Sequence, residues 1–392
     1  MLSSRAFTSL TSFSVQIDHM GWRRSLLSLR FDLTQANQLT SLAYTGPDHV
    51  TREDILVDWT RLTSVAFSYD LYEAGGESTT LPRHFSTLAQ CRNLTELSIG
   101  LNTTLGHHLH QLDVMAQGQT AIPTIELPRL HTLRIRRLSQ SAHACALVDA
   151  LRLPQLSTLH IDSAVLASWD SAYSPLPHPN LQSTPLLMPV QTRWWHAHHF
   201  SALLDRSGCH LHTLHIRDVD ISPLELARLL TSPSTSPTLS TFTFEPCPRA
   251  YPISDVLAHL VSLPSSASNP SPSLSSSPSP SAASIPGPRP PSFPYLTHLR
   301  LGCAHESHLY PIADLIESRT GDRATQAGVR PLAVFELIFH DFVYSHGRGR
   351  QPSRKLCFDM FRERVLRCAR EGGVDVDIRV ERPYEPVYIP VP

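Results

Sequence analysis

This sequence predicts an α/β fold, an irregular leucine-rich repeat solenoid with a parallel concave sheet and outer helices. Three observations predict it. One apolar spacing returns along most of the chain, helical segments fall between its copies, and 392 residues exceed an ordinary single core while suiting an array that grows in one dimension.

The spacing is apolar-x-x-apolar-x-apolar. Its clearest copies are Leu94-Leu97-Ile99, Leu130-Leu133-Ile135, Leu156-Leu159-Ile161, Leu211-Leu214-Ile216 and Leu296-Leu299-Leu301. Weaker copies are Leu39-Leu42-Tyr44, Leu62-Val65-Phe67, Leu239-Phe242-Phe244 and Val334-Leu337-Phe339. Leu10-Phe13-Val15 and Leu26-Leu29-Phe31 also fit, and their closeness leaves open whether both are full repeats. The last three positions alternate like a short strand, so Leu133 and Ile135 point into a core. The first Leu sits on the turn entering that strand. One such unit cannot bury its apolar face alone; stacked units can.

Between the copies, residues 196–206 place Phe200, Leu203 and Leu204 on one helical face, with Gly208 as the stop. Ser222-Pro223-Leu224-Glu225 is a capping box with Pro at the first helical position, opening a helix to about Leu230. Residues 252–262 and 311–319 repeat the strand-then-helix order. Residues 354–371 carry Cys357, Phe361, Val365 and Leu366 at helical spacing, stopped by Gly372-Gly373. The alternating strand Val374, Val376, Ile378 and Val380 follows, and this helix and strand are read as the end cap.

Residues 264–292 are dominated by Ser, Pro and Ala, which cannot bury enough surface to offset their ordering entropy. The expected organisation is therefore repeats over 1–263 with a Pro-rich insertion near 168–193, a disordered loop over 264–292, and last repeats plus cap over 293–392. Ser271-Pro272, Ser277-Pro278 and Ser279-Pro280 read either as proline-directed phosphorylation sites or as plain spacer.

Charged residues are only 17% of the chain and the formal net charge is -1, which argues against a dedicated nucleic-acid binder. The seven cysteines are odd in number and form no C-x-x-C pair, so reduced thiols in a cytoplasmic or nuclear protein are expected. Met1–Leu10 holds no long apolar run, and no stretch approaches the ~18 apolar residues of a membrane span. No secretory signal and no membrane association are expected.

Chemistry-bearing motifs are sparse. His107-His108-His110 and His196-His198-His199 could ligate a metal, but neither brings an evident third ligand, and surface histidines are the plainer reading. Gly347-Arg348-Gly349-Arg350 is a short basic loop, and Cys209-His210 are adjacent without the geometry that activates a thiol. Phosphate-binding glycine loops and nucleophile elbows are absent from the sequence. The expectation is a non-enzymatic protein with no cofactor and no metal.

The strand positions facing away from the core are more informative. Stacked in register, their middle residues read Ser98, Arg134, His160, His215, Thr243, Arg300 and Ile338. Thr132, Arg136, Asp162, Arg217 and Glu245 flank them. This strip is mildly basic in its middle. It reads equally as a surface for an acidic or phosphorylated segment of another protein, or as a wet face that is polar for that reason alone.

The run from Phe200 to Leu230 (FSALLDRSGCHLHTLHIRDVDISPLELARLL) resembles the leucine-rich repeat region of F-box-like proteins abundant in mushroom-forming fungi. Phe293–Leu301, Leu315–Arg319 and Arg362–Val380 match as well, so the resemblance covers roughly the last half to two-thirds of the chain. It implies the substrate-recognition arm of a cullin-type ubiquitin ligase. That family's F-box opens with Leu-Pro; the nearest match, Leu81-Pro82, runs into the motif at Leu94 and leaves no room for three helices. A ligase adaptor is thus an expected partner only if an F-box precedes this sequence. The alternative is a repeat scaffold or a degenerate paralogue without a ligase role.

Overall fold

The clearest apolar triplets become a short strand, entered in several copies by a turn that explains the first Leu. The amide of Leu39 donates to the Ala36 carbonyl, Leu94 to Cys91, Leu130 to Leu127, Leu156 to Leu153 and Leu296 to Phe293, at 3.0–3.3 Å. Each turn thereby drops its leucine into the core; these five are all within 1% of complete burial. The computed structural model describes residues 8–16, 31–47, 55–71, 87–103, 124–136, 142–162, 197–219, 221–246, 257, 293–303, 308–340 and 352–381. They are α/β, in two compact units, Met1–Ser222 and Pro223–Pro392, each containing a parallel sheet.

The first unit runs β1 (Ser12–Gln16), β2 (Phe31–Asp32), β3 (Ser41–Pro47), β4 (Ile55–Leu56), β5 (Ser64–Leu71), β6 (Glu96–Thr103), β7 (Ile125–Glu126) and β8 (Thr132–Arg136). It continues with helix α1 (Ala142–Ala150), β9 (Leu151–Arg152), β10 (Thr158–Asp162), helix α2 (Ala197–Ser207) and β11 (Thr213–Val219). Its sheet has the order β1-β3-β5-β6-β8-β10-β11, every neighbour parallel. One register runs through it: Leu42, Val65, Leu97, Leu133, Leu159 and Leu214 lie side by side, as do Tyr44, Phe67, Ile99, Ile135, Ile161 and Ile216. Both rows are buried and form the core. The two-residue pairs β2–β4 and β7–β9 lie outside this sheet.

A second ladder joins the strands at their entrances. The carbonyl of Thr40 accepts the amides of Thr63 and Ser64, that of Thr63 the amides of Thr95 and Glu96, and that of Thr95 the amides of His131 and Thr132. The hydroxyls of Thr63 and Thr95 reach the same acceptors, at 3.3 and 2.9 Å. A hydroxyl residue after the first Leu of the motif thus satisfies backbone where one turn meets the next.

Helix α2 covers the residues read as helical. Its Phe200, Leu203 and Leu204 are buried, and Gly208 ends it at φ 61, a conformation that favours glycine. Arg206 fastens α2 to α1 and β9 by donating to the Leu151 carbonyl at 2.8 Å and to the Val148 carbonyl. The Ser207 hydroxyl accepts the Leu153 amide at 2.9 Å.

The second unit runs α3 (Pro223–Thr231), β12 (Thr241–Pro246), β13 (His298–Cys303), α4 (Leu309–Ser318), α5 (Gly321–Gln326), β14 (Val334–His340), α6 (Pro352–Gly372) and β15 (Asp375–Glu381). Its strands follow the order β12-β13-β14-β15, all parallel. Pro223 opens α3, as the capping sequence predicts. Arg364 of α6 donates to Glu317 at 2.7 Å and Asp314 at 2.6 Å of α4, and this pairing holds the Glu317 carboxyl below its ordinary range. Gly373, at φ 67, turns the chain from α6 into β15.

One open reading is decided and one expectation is corrected. Phe31 of the copy Leu26-Leu29-Phe31 pairs only with β4, so that copy adds no strand to the sheet; Leu26 and Leu29 lie outside the described residues. In β14 the residues aligned with Leu299 and Leu301 are Phe335 and Leu337, so the triplet is Leu332-Phe335-Leu337 and not Val334-Leu337-Phe339. Phe335, Leu337 and Phe339 are all apolar at one parity, which concealed a shift of two residues. The expected helix over 252–262 (only helical, buried Leu257 is described), the segments 168–193 and 264–292, His107-His108-His110, His196, the 347–350 loop and Leu81-Pro82 also lie outside the described residues.

Among the described residues no helix is long and apolar enough to cross a membrane. The described cysteines are not joined in disulfides, and burial pushes Cys91 up to about 12 and Cys145 and Cys209 up to about 11.

Candidate interaction face

Strand alternation sends every second side chain of the first unit away from the core. Three outward rows result. The first is Ser41, Ser64, Glu96, Thr132, Thr158, Thr213; the second Ala43, Ala66, Ser98, Arg134, His160, His215; the third Thr45, Ser68, Gly100, Arg136, Asp162, Arg217. Ser98, Arg134, His160 and His215 therefore stand side by side as their spacing predicts, with Arg136 and Arg217 one row along. The face changes character across the sheet. On β3, β5 and β6 the second and third rows hold only Ala, Ser, Thr and Gly; from β8 onward they carry guanidinium, imidazole and carboxylate groups.

Gly100 marks this boundary. This glycine is buried, and a Cβ there would approach the Ser68 hydroxyl to 2.9 Å, so the close packing of Ser68 over β6 depends on glycine. On the other side, His160 and His215 stack with ring centroids 4.3 Å apart and planes 18° from parallel. Burial, reinforced by His215, Arg134 and Arg136, pushes His160 down to about 4, so its ring is neutral at pH 7. Arg134 and Arg136 carry no ion pair among the described residues. Across the three rows, three arginines against Glu96 and Asp162 leave one net positive charge, concentrated at Arg134 and Arg136.

The outward rows of the second unit are different. Thr243, Arg300, Glu336 and Asp377 share one row. Arg300 is held by two carboxylates, with Nε donating to Glu245 at 2.7 Å and Nη1 to Glu336 at 3.2 Å. Arg379 donates to Asp377 at 2.6 Å. Thr243 is 7% exposed and offers little surface. Ile338, expected in the middle row, lies one row along, between Gly302 and Arg379, and is buried; Glu336 takes its place. Over the same three rows, Arg300 and Arg379 against Glu245, Glu336, Asp375 and Asp377 leave two net negative charges, and both arginines are paired within the face.

Neither protein-family models, curated proteins nor solved structures give a match.

Two further side-chain groupings were not legible from spacing. Cys303 Sγ lies 3.7 Å from His308 Nδ1, but both residues are buried, at 0% and 5% exposure, beyond the reach of a substrate. His199 Nδ1 contacts Asp149 at 2.7 Å, and the ring lies 4.0 Å from that of His198. Among the described residues no three His, Cys, Asp or Glu side chains converge as a metal site.

Proposed function

We propose that this chain is an irregular leucine-rich repeat solenoid acting as a non-enzymatic protein-interaction module, and that the outward strand face of its first unit receives an acidic or phosphorylated segment of another protein. The observation that carries this reading is the adjacency of Arg134 and Arg136 to a stacked imidazole pair, beside a floor of small residues. Guanidinium forks confer selectivity for carboxylate or phosphate, while the flat rings and small side chains provide contact area without steric obstruction. The resemblance to F-box-like repeat proteins places such a module as the substrate receptor of a cullin-type ubiquitin ligase. No metal or cofactor enters this reading, and one net positive charge across the three rows falls short of the basic track that nucleic acid requires.

The test is quantitative co-purification of the tagged whole chain from cells. Arg134→Glu/Arg136→Glu should lose specific partners that Arg92→Glu/Arg152→Glu retains, since Arg92 and Arg152 are exposed away from these rows. Equal partner sets in both variants would refute the assignment of the face. Direct binding of the purified cullin adaptor to the same chain separates a ligase receptor from a scaffold.

A further inference from the structure

We infer that the junction between the small-residue floor and the Arg134/Arg136 pair is a phosphate-selective site, so that the partner segment is recognised through a phosphorylated serine or threonine and not through carboxylates. This rests on the proposed interaction face and adds the chemistry of its occupant.

Arg134 and Arg136 project from the same face of β8, two residues and therefore about 6–7 Å apart along the strand. That separation lets two guanidiniums converge on the several oxygens of one phosphate. A phosphomonoester carries about −1.5 to −2 charges at pH 7, enough to match both; one carboxylate matches only one. The neighbouring strand presents Ser98 beside Arg134 and Gly100 beside Arg136, with Ser68 next to Gly100. The two hydroxyls can donate to phosphate oxygens, and that of Ser68 lies over Gly100, where a Cβ would come within 2.9 Å of it. On the far side β10 sets the neutral, partly buried His160 beside Arg134 and the Asp162 carboxylate beside Arg136, so a dianion has to compete with one carboxylate for the second guanidinium. The second unit offers a contrast, for its Arg300 already sits between Glu245 and Glu336.

Fluorescence anisotropy on the whole chain, with a labelled dodecapeptide library, tests the inference. The library has neutral degenerate flanks and a central phosphoserine; matching libraries carry serine or aspartate. The phosphoserine library should bind at least tenfold more tightly than the aspartate library. Arg134→Ala/Arg136→Ala should weaken it at least tenfold, Arg134→Lys/Arg136→Lys should recover part of the loss, and Arg92→Ala/Arg152→Ala should leave it unchanged. Equal binding of both anionic libraries, lost in the double alanine variant, overturns phosphate selectivity and leaves the acidic-partner reading in place. Binding indifferent to Arg134 and Arg136, or no binding by any library, overturns the inference; co-purification then decides the face independently.

Discussion

The inward–outward alternation of β8 makes a sharp prediction at two consecutive residues. Leu133 is fully buried between Leu97 and Leu159, while Arg134 beside it points away from the core. Leu133→Ala deletes three carbon positions, which at about 0.8 kcal/mol per methylene-sized group removes about 2.4 kcal/mol of transfer energy. The flanking leucines are held by strands on both sides and cannot close the gap freely, so a cavity contribution brings the expected loss to about 2–5 kcal/mol. Arg134→Ala removes a half-buried side chain without an ion pair among the described residues and should change stability by no more than about 0.5 kcal/mol. The assay is guanidinium unfolding followed by circular dichroism, with amide hydrogen exchange at β8 reporting local stability. A larger loss for Arg134→Ala than for Leu133→Ala would put the register off by one residue and refute the assignment of every outward row.

Three other predictions follow from individual contacts. Arg300→Met should cost about 1–3 kcal/mol, because it strips Glu245, whose side chain is 8% exposed, of its charged partner; adding Glu245→Gln should restore part of the loss in denaturant melts. His160 is pushed down to about 4 from 6.5, so the unfolded chain binds a proton more readily. Its contribution is present above pH 6.5 and lost as pH falls towards 4, with a ceiling of about 3 kcal/mol, cut to about 1–2 by solvent screening of a half-buried ring. His160→Gln should flatten the urea-midpoint profile across that interval, and an unchanged slope would contradict the assigned environment. Gly208→Ala should cost about 1–2 kcal/mol by forcing a Cβ into the left-handed conformation that ends α2, measured as a lowered thermal midpoint.

Much of the parallel α/β architecture was legible because its signal is apolar and periodic. Leu133, Leu159 and Leu214 could be placed inward, and Arg134, His160 and His215 outward, from spacing alone, and the structure puts each set in one row. Helix α2 was legible from Phe200, Leu203, Leu204 and the glycine that stops it. β14 was misread by two residues because Phe335, Leu337 and Phe339 are apolar at one parity and satisfy the motif in either position; Glu336, placed opposite Arg300, marks the middle outward position. The recurrent hydroxyl after the first Leu, at Thr40, Thr63, Thr95, Ser157 and Thr297, was present in the sequence but passed over, since its role depends on the backbone of the preceding strand. The capture of Arg300 by Glu245 and Glu336 was illegible for a similar reason. Spacing names which rows are neighbours, whereas pairing depends on side-chain rotamers, and that difference separates one arginine aimed at solvent from another held within its sheet.

The central claim is that partners meet the outward strand face of the first unit. Photo-crosslinking from the whole chain tests it most directly, with the reactive residue placed in turn at Ser98, at Thr158 and, as the control, at exposed Arg152 in the separate β7–β9 pair. The account predicts discrete partner adducts from Ser98 and Thr158 that vanish with Arg134→Glu/Arg136→Glu, and none from Arg152. Adducts from Arg152 with none from the other two positions would contradict it.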